Sequence, residues 1–157
     1  MNRKTFENWV NEYHDRIYSV IFYIVGNRED ALDCTQDTFL KAYRKMSTFR
    51  GKSSAYSWLR RIAANTALNF VTRNRQSGWN EYNDAIYESS DQSSEEEKKT
   101  FSKSWLEPLS PMERAVVTAR VYGKMSFRQV GESLKTTENS AKVLYHKAIK
   151  KMRQVAK

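Results

Sequence analysis

Apolar residues recur along positions 6–24 at helical spacing. Phe6, Trp9, Val10, Tyr13, Ile17, Val20, Ile21 and Ile24 form one stripe, as in an amphipathic helix with one face on a core. Gly26-Asn27 supplies the stop signal for that helix. A second stripe, Leu32, Thr35, Phe39, Ala42, Tyr43 and Met46, predicts a second helix. Phe49-Arg50-Gly51-Lys52-Ser53-Ser54 reads as a loop by its Gly and Ser content. A third helix is predicted from about Tyr56 to Arg73, with Leu59, Ile62, Ala63, Ala67 and Phe70 as its core face.

The C-terminal part carries sharper punctuation. Ser110-Pro111-Met112-Glu113 has the form of a capping box with Pro at the first helical position, and the helix it opens is predicted to end at Gly123. Ser126-Phe127-Arg128-Gln129 is a second capping box, opening a short helix to about Leu134; after Lys135-Thr136-Thr137 a last helix runs to about Arg153. Ser126 to Lys147 therefore has the shape of a helix-turn-helix. Val130 and Leu134 face inward from its first helix, and Ala141 and Leu144 from its second, with Gly131 where the two cross. Lys135 falls where the turn often takes glycine, because φ is often positive there. In this geometry the second helix lies in the major groove of duplex DNA. Glu138, Asn139, Lys142, Val143 and His146 would face the groove, and Lys147, Lys150 and Lys151 would reach phosphates. An ordinary helical hairpin with a solvated basic face is the alternative.

Composition sharpens this picture. Two prolines and five glycines in 157 residues are too few for a turn-rich β fold. The net charge of +9 suggests a polyanionic partner, nucleic acid first. That charge is segregated: residues 1–76 carry +6, residues 77–104 carry −4, and residues 105–157 carry +7. Glu88 to Lys99 is acidic, Ser-rich and nearly free of apolar side chains, the composition of a linker. The expected architecture is all-α: two small helical domains, 1–76 and 105–157, joined by a flexible acidic linker, 77–104. A single cysteine, Cys34, excludes an internal disulfide and fits a reducing compartment. The N-terminal residues are charged too early for a signal peptide, and the longest apolar run, Ile17 to Val25, is too short to span a bilayer. No membrane insertion is expected.

Two further constellations stand out. Trp58, Arg61, Asn65, Asn69 and Arg73 share one face of the third helix, opposite its core stripe. A stacking ring, amides and guanidinium groups suit unpaired bases and their backbone. Arg50, Lys52, Ser53 and Ser54 in the preceding loop could line a pocket for an extruded base. A solvated face with one half-buried Trp fits the same pattern equally well. Asp30, Asp33 and Asp37, with Glu29 adjacent, share a face of the second helix. Carboxylate clusters can hold a divalent metal for phosphoryl chemistry. Here, however, all of them come from one helical stripe without a His, and Gln36, Lys41 and Lys45 share the surface. A solvated face or a protein-docking face fits that pattern better, and no metal site is expected.

These residues carry a resemblance. Residues 28–70 resemble region 2 of the extracytoplasmic-function sigma factors of bacteria, through Asp30-Ala31, Gln36-Asp37-Thr38-Phe39, Phe49, Trp58-Leu59, Ile62-Ala63 and Asn65. Residues 109–152 resemble region 4 of the same family, through Leu109-Ser110, Glu113-Arg114, Ser126, Val130, Leu134, Lys142, His146 and Ala148. The resemblance implies a cytoplasmic, nucleoid-associated promoter-recognition subunit without catalytic activity or cofactor, held inactive by an anti-sigma factor. It implies that Asp30, Asp33, Gln36, Asp37, Phe39, Leu40 and Tyr43 dock on the β′ clamp helices of core RNA polymerase. Arg50, Lys52, Ser53, Ser54, Trp58, Arg61, Asn65, Asn69 and Arg73 would open the promoter −10 element. Glu138, Asn139, Lys142, Val143, His146, Lys147 and Lys150 would bind the −35 element beside the β flap. The chain departs from the family pattern at Asn69, where an acidic residue is usual. It departs again at Asn139-Ser140-Ala141-Lys142-Val143-Leu144, which commonly reads Gly-Thr-Val-Lys-Ser-Arg, and at Ile149, near which Arg is usual. No −35 sequence preference is therefore predicted.

Overall fold

The computed structural model describes residues 3–76 and 103–156, and every regular element among them is helical. Three helices form the N-terminal half: α1 (Arg3–Val25), α2 (Arg28–Arg44) and α3 (Ala55–Gln76), with a 3-10 turn over Met46–Thr48 between the last two. Four form the C-terminal half: α4 (Lys103–Leu106), α5 (Pro111–Val121), α6 (Phe127–Ser133) and α7 (Glu138–Ala156). The acidic segment expected as a linker lies outside the described residues, except for residues 103 and 104 at the start of α4. Among the described residues no helix is long and apolar enough to cross a membrane.

Local hydrogen bonding sets the helix ends much as the sequence predicts. Asn27 accepts the Asp30 N–H at 3.1 Å and opens α2, while Gly26 turns the chain out of α1 at φ +74°. Both capping boxes form. Ser110 Oγ accepts the Glu113 N–H at 3.2 Å and Glu113 Oε1 accepts the Ser110 N–H at 2.8 Å. Ser126 and Gln129 repeat the exchange at 3.1 and 2.9 Å. Lys135 takes the positive φ expected of its position, +58°. The stop expected at Gly123 forms too: α5 ends at Val121 with Tyr122 as its C-cap, so Gly123 is the first residue beyond, although the positive φ of that turn falls on Lys124, at +55°. Gly123 also leaves no room for a side chain. A Cβ there would sit 2.6 Å from the Ala119 carbonyl oxygen at the end of α5 and 2.9 Å from the Ala64 methyl of α3.

That contact belongs to a larger one. The pattern over 6–24 predicts one apolar stripe, yet α1 is buried on every side from Ile17 to Val25, Ser19 included. A helix covered all round lies inside a core. Here α2 and α3 pack against one side of α1 and α5 against another. The two halves thus share one hydrophobic cluster, in which Phe22, Ile24, Leu59 and Leu68 join Val116, Val117, Met125 and Leu134.

At the centre of the junction stands Arg114 of α5, only 1% exposed. Its Nη2 donates to the carbonyl oxygen of Val25, the last residue of α1, at 3.2 Å. A guanidinium there meets the unpaired carbonyls and the negative end of the helix dipole. Beside it the rings of Tyr23 and Tyr122 stack at 4.5 Å between centroids, 2° from parallel. Gly26 is required twice over: its φ is left-handed, and a Cβ would come within 2.5 Å of Arg114 Nη2.

Gly26→Ala is therefore expected to destabilise the protein by about 1–3 kcal/mol, from backbone strain together with displacement of the guanidinium. A urea titration with an unchanged midpoint would contradict this reading of the junction. A second expectation concerns Glu113, buried beneath Lys151. Burial raises its pKa, but bonds from Lys151 Nζ (2.8 Å) and from Ser110 outweigh burial and hold the carboxyl below its usual 4.5. Such a group adds stability above its unfolded pKa and loses it as pH falls through the folded value. Glu113→Gln should lower the melting temperature at neutral pH, with the gap to wild type closing below about pH 4.5.

Candidate docking and nucleic-acid interfaces

The helix-turn-helix is built from its caps inward. Gly131 of α6 lets the backbone of Thr137 pass so near that a Cβ would meet its carbonyl at 2.9 Å. Thr137 Oγ1 accepts the Ser140 N–H at 3.0 Å and starts α7. With Ala141 and Ala148 buried and Leu144 half-buried, the opposite face of α7 is fixed toward solvent. Glu138, Asn139, Lys142, Val143, His146, Lys147 and Lys150 are all exposed on it, so the sequence register places the whole predicted set on one surface. Lys142 lies 3.8 Å from Glu138 one turn earlier, both half in solvent, a weak pair. Lys151 departs from expectation. Its ammonium bonds to Glu113 across the α5–α7 contact, which ties it to the fold instead of leaving it to a phosphate. The base of this unit holds Arg120, whose guanidinium lies 4.2 Å from the Phe127 ring and donates to the Met125 carbonyl at 2.7 Å.

The predicted stripe on α3 separates into parts. Arg50, Lys52, Ser53 and Ser54 are exposed in the loop, and Ser54 Oγ accepts the Ser57 N–H at 3.1 Å to open α3. Arg61 and Arg73 are exposed as well. Trp58 is half-buried: it lies 6.2 Å from Trp9 and 5.2 Å from Phe49, and those two stand edge to face at 5.3 Å. The sequence reading missed Trp9 as the floor of this aromatic cluster, since its helical spacing marked it only as core. Asn65 and Asn69 face a polar crevice of about 440 Å³. Lys41 and Lys45 of α2 line one side, and Gln129, Glu132 and Ser133 of α6 line the other. The Ser133 hydroxyl donates to the side-chain oxygen of Asn65.

On α2 the predicted set divides along the helix. Asp30, Asp33 and Asp37 form an acidic edge, with Asp37 paired to Lys41 at 3.1 Å. Burial, then the neighbouring carboxylates of Asp33 and Glu29, push the Asp30 pKa up. Beneath this edge Cys34 is buried, and its thiol is pushed up to about 12 by burial and by Asp30 and Asp37, so it is inert at neutral pH. Alongside lies an apolar groove of about 440 Å³. Phe39 forms its buried wall, edge to face with Phe6 and stacked on His14 at 6.0 Å. Leu40 and Tyr43 stand at its rim, 56% and 51% exposed, and Gln36, one turn before Leu40, is exposed as well. Phe6, Val10 and His14 of α1 complete the groove; sequence reasoning about α2 alone does not find them. An apolar groove with an acidic edge suits a protein partner better than a metal.

Comparison with known proteins adds to this geometry. A family model described as Sigma-70 region 2 matches residues 9–77, and one described as Sigma-70, region 4 matches residues 105–154. The chain is 41% identical over 71 residues to the ECF RNA polymerase sigma-E factor of Haemophilus influenzae, covering 45% of this chain and 37% of that protein. It is 41% identical over 76 residues to the RNA polymerase sigma-H factor of Pseudomonas aeruginosa, covering 48% and 39%. The match thus spans less than half the length of these curated relatives. In fold it is similar to the sigma factor RpoE of Bartonella quintana, solved in complex with the anti-sigma factor NepR: the TM-score is 0.61 at 19% identity over 98% of this chain and 97% of that one. CnrH, solved with the cytosolic domain of CnrY, aligns with a TM-score of 0.55 at 20% identity over 99% and 89%.

If the exposed face of α7 binds duplex DNA, Lys142→Ala and Lys147→Ala should each weaken binding and reduce the slope of log affinity against log salt by about 0.9. Lys151→Met should leave that slope unchanged while lowering stability, because its charge is committed to Glu113. Anisotropy titrations across a salt series measure all three; a Lys151 slope change equal to the others would place α7 in a different rotation.

Proposed function

The chain belongs to the sigma-70 family, with region 2 and region 4 present in that order, and we propose that it is a promoter-recognition subunit of a bacterial RNA polymerase. The observation that carries this reading is the presence of two separate surfaces of different chemistry on the two matched regions. One is an apolar, acid-edged groove on α1 and α2. The other is a basic recognition helix with its whole predicted set exposed. A plain duplex-binding regulator needs only the second.

In this reading Asp30, Asp33, Gln36, Asp37, Leu40 and Tyr43 meet the β′ clamp helices, and Phe39 shapes the groove from within. The α3 face and its loop hold melted −10 DNA: Arg50, Lys52, Arg61 and Arg73 neutralise phosphate, Asn65 and Asn69 supply amides, and Trp58 stacks from its aromatic cluster. The exposed face of α7 enters the major groove of the −35 element, where side chains meet a distinct pattern of donors and acceptors at each base pair. Residues 1–76 and 105–157 act as the two binding units, with residues 77–104 between them. The chain carries out no chemistry of its own; the polymerase does. It works in the cytoplasm at the nucleoid, and an anti-sigma factor controls it, as NepR accompanies the structurally similar sigma factor.

The test is transcription in vitro by bacterial core RNA polymerase on pooled genomic DNA, with and without this protein. Discrete new start sites that require the protein are expected. Leu40→Ala with Tyr43→Ala should abolish those starts by loss of polymerase binding, with duplex binding intact. Tight duplex binding without any new start would replace this reading with an ordinary helix-turn-helix regulator.

A further inference from the structure

The outward face of α7 carries one residue whose chemistry the others do not share. Glu138, Asn139, Lys142, His146, Lys147 and Lys150 all bear polar or charged groups, whereas Val143 in their midst is apolar and 46% exposed. The shared hydrophobic cluster takes in Leu144, Tyr145, Ala148 and Ile149 of this helix, but not Val143.

Helix geometry aims this side chain. At 3.6 residues per turn, Val143 lies about 160° round α7 from buried Ala141. Asn139, one turn before it, and Lys150, two turns after it, share that line. A helix seated in the major groove turns this line toward the base edges. Lys142 stands 3.8 Å from Glu138, and the His146 ring meets the Tyr145 ring edge to face at 5.6 Å. Both contacts lie on the flank of α7 away from Val143. A helical valine also has one strongly preferred rotamer, so its methyl groups are presented with little side-chain freedom left to lose.

A valine has neither donor nor acceptor. In the major groove a base pair shows polar edge groups and one apolar group, the C5-methyl of thymine. Pressed against a polar edge, Val143 would remove water without replacing its hydrogen bonds, which is unfavourable. Pressed against a methyl, it takes apolar surface out of water on both sides. Shape and burial, not hydrogen bonding, therefore decide the base pair that Val143 accepts.

We propose that Val143 is a methyl reader: the duplex element bound by α7 carries a 5-methylpyrimidine, ordinarily thymine, at the base facing this residue. This reading of Val143 rests on the duplex binding proposed above for α7 and adds the identity of one base. 5-Methylcytosine presents the same methyl group in the groove, so it is accepted there in place of thymine, while unmodified cytosine is not.

The test begins with duplexes selected from a random pool by the full-length chain, alone and together with core RNA polymerase. Each thymine of the selected site is then replaced in turn by deoxyuridine, which lacks only the methyl group. One thymine is expected whose replacement weakens wild-type binding about fourfold, the effect of one methyl group leaving apolar contact. Val143→Ser should bind thymine and uracil equally at that position. It should keep the melting temperature and salt slope of wild type, because Val143 is exposed and carries no charge to neutralise a phosphate. A C·G pair at the same position should bind wild type about tenfold more weakly than the T·A pair, and 5-methylcytosine should recover about fourfold of that loss. The proposal is overturned if wild type tolerates uracil at every thymine of a site it selects, or if Val143→Ser keeps the discrimination; in both cases duplex binding by the chain stands. If neither the chain nor its polymerase complex selects a duplex, the function proposed above fails and methyl reading falls with it.

Discussion

A guanidinium ion buried at 1% exposure sets the terms for the molecule. Removing Arg114 from water costs free energy that only close, well-oriented acceptors offset. One acceptor is the carbonyl end of α1, where Val25 receives its Nη2 and the helix dipole is negative. Meeting it requires a residue without a side chain at position 26; the same contact between α1 and α5 carries the stack of Tyr23 on Tyr122 and covers the last turns of α1. The apolar side chains of the shared cluster join the two halves, and Arg114 meets the end of α1 within that contact.

With α1 enclosed, the charges that remain divide into two groups. Some belong to the fold: Lys151 holds Glu113 beneath it, Lys41 pairs with Asp37, and Arg120 lies over Phe127. Others face solvent on α7 and on the loop before α3, where nothing in the fold needs them. The second group is the one available to a polyanion. The segregation follows from geometry. A cation within reach of a buried carboxylate gains more from pairing than from solvation, while one on an outward helix face has only water or a partner to choose from.

The apolar groove shows the same division on the other side of the molecule. Phe39 is both the wall of the groove and part of the shared core, so its burial keeps the groove open. Leu40 and Tyr43 remain exposed at the rim because α1 ends its coverage at Phe6 and Val10. A groove face and a core face thus meet along a single helix at Phe39, which serves both.

What the sequence determined by itself is everything governed by neighbours within four residues. Both capping boxes, the stop at Gly26-Asn27, the positive φ at Lys135, the small residue at Gly131 and the outward face of α7 were legible, because a hydrogen bond to position i+3 or a 3.6-residue period is written locally. The family was legible from the same motifs. Tertiary structure alone decided where long-range partners lie. It drew Lys151 out of the lysine row of α7 to Glu113, made Trp58 part of a cluster with Trp9 and Phe49, and set Gly123, already at a helix stop, against Ala64. It also joined Asn65 to Ser133, 68 positions apart. Helical periodicity reports which face of an element is covered, not what covers it. The run from Ile17 to Val25 was visibly apolar; that a second layer of helices, anchored by a buried arginine 89 residues on, would cover its far side depends on packing between elements that no local pattern encodes.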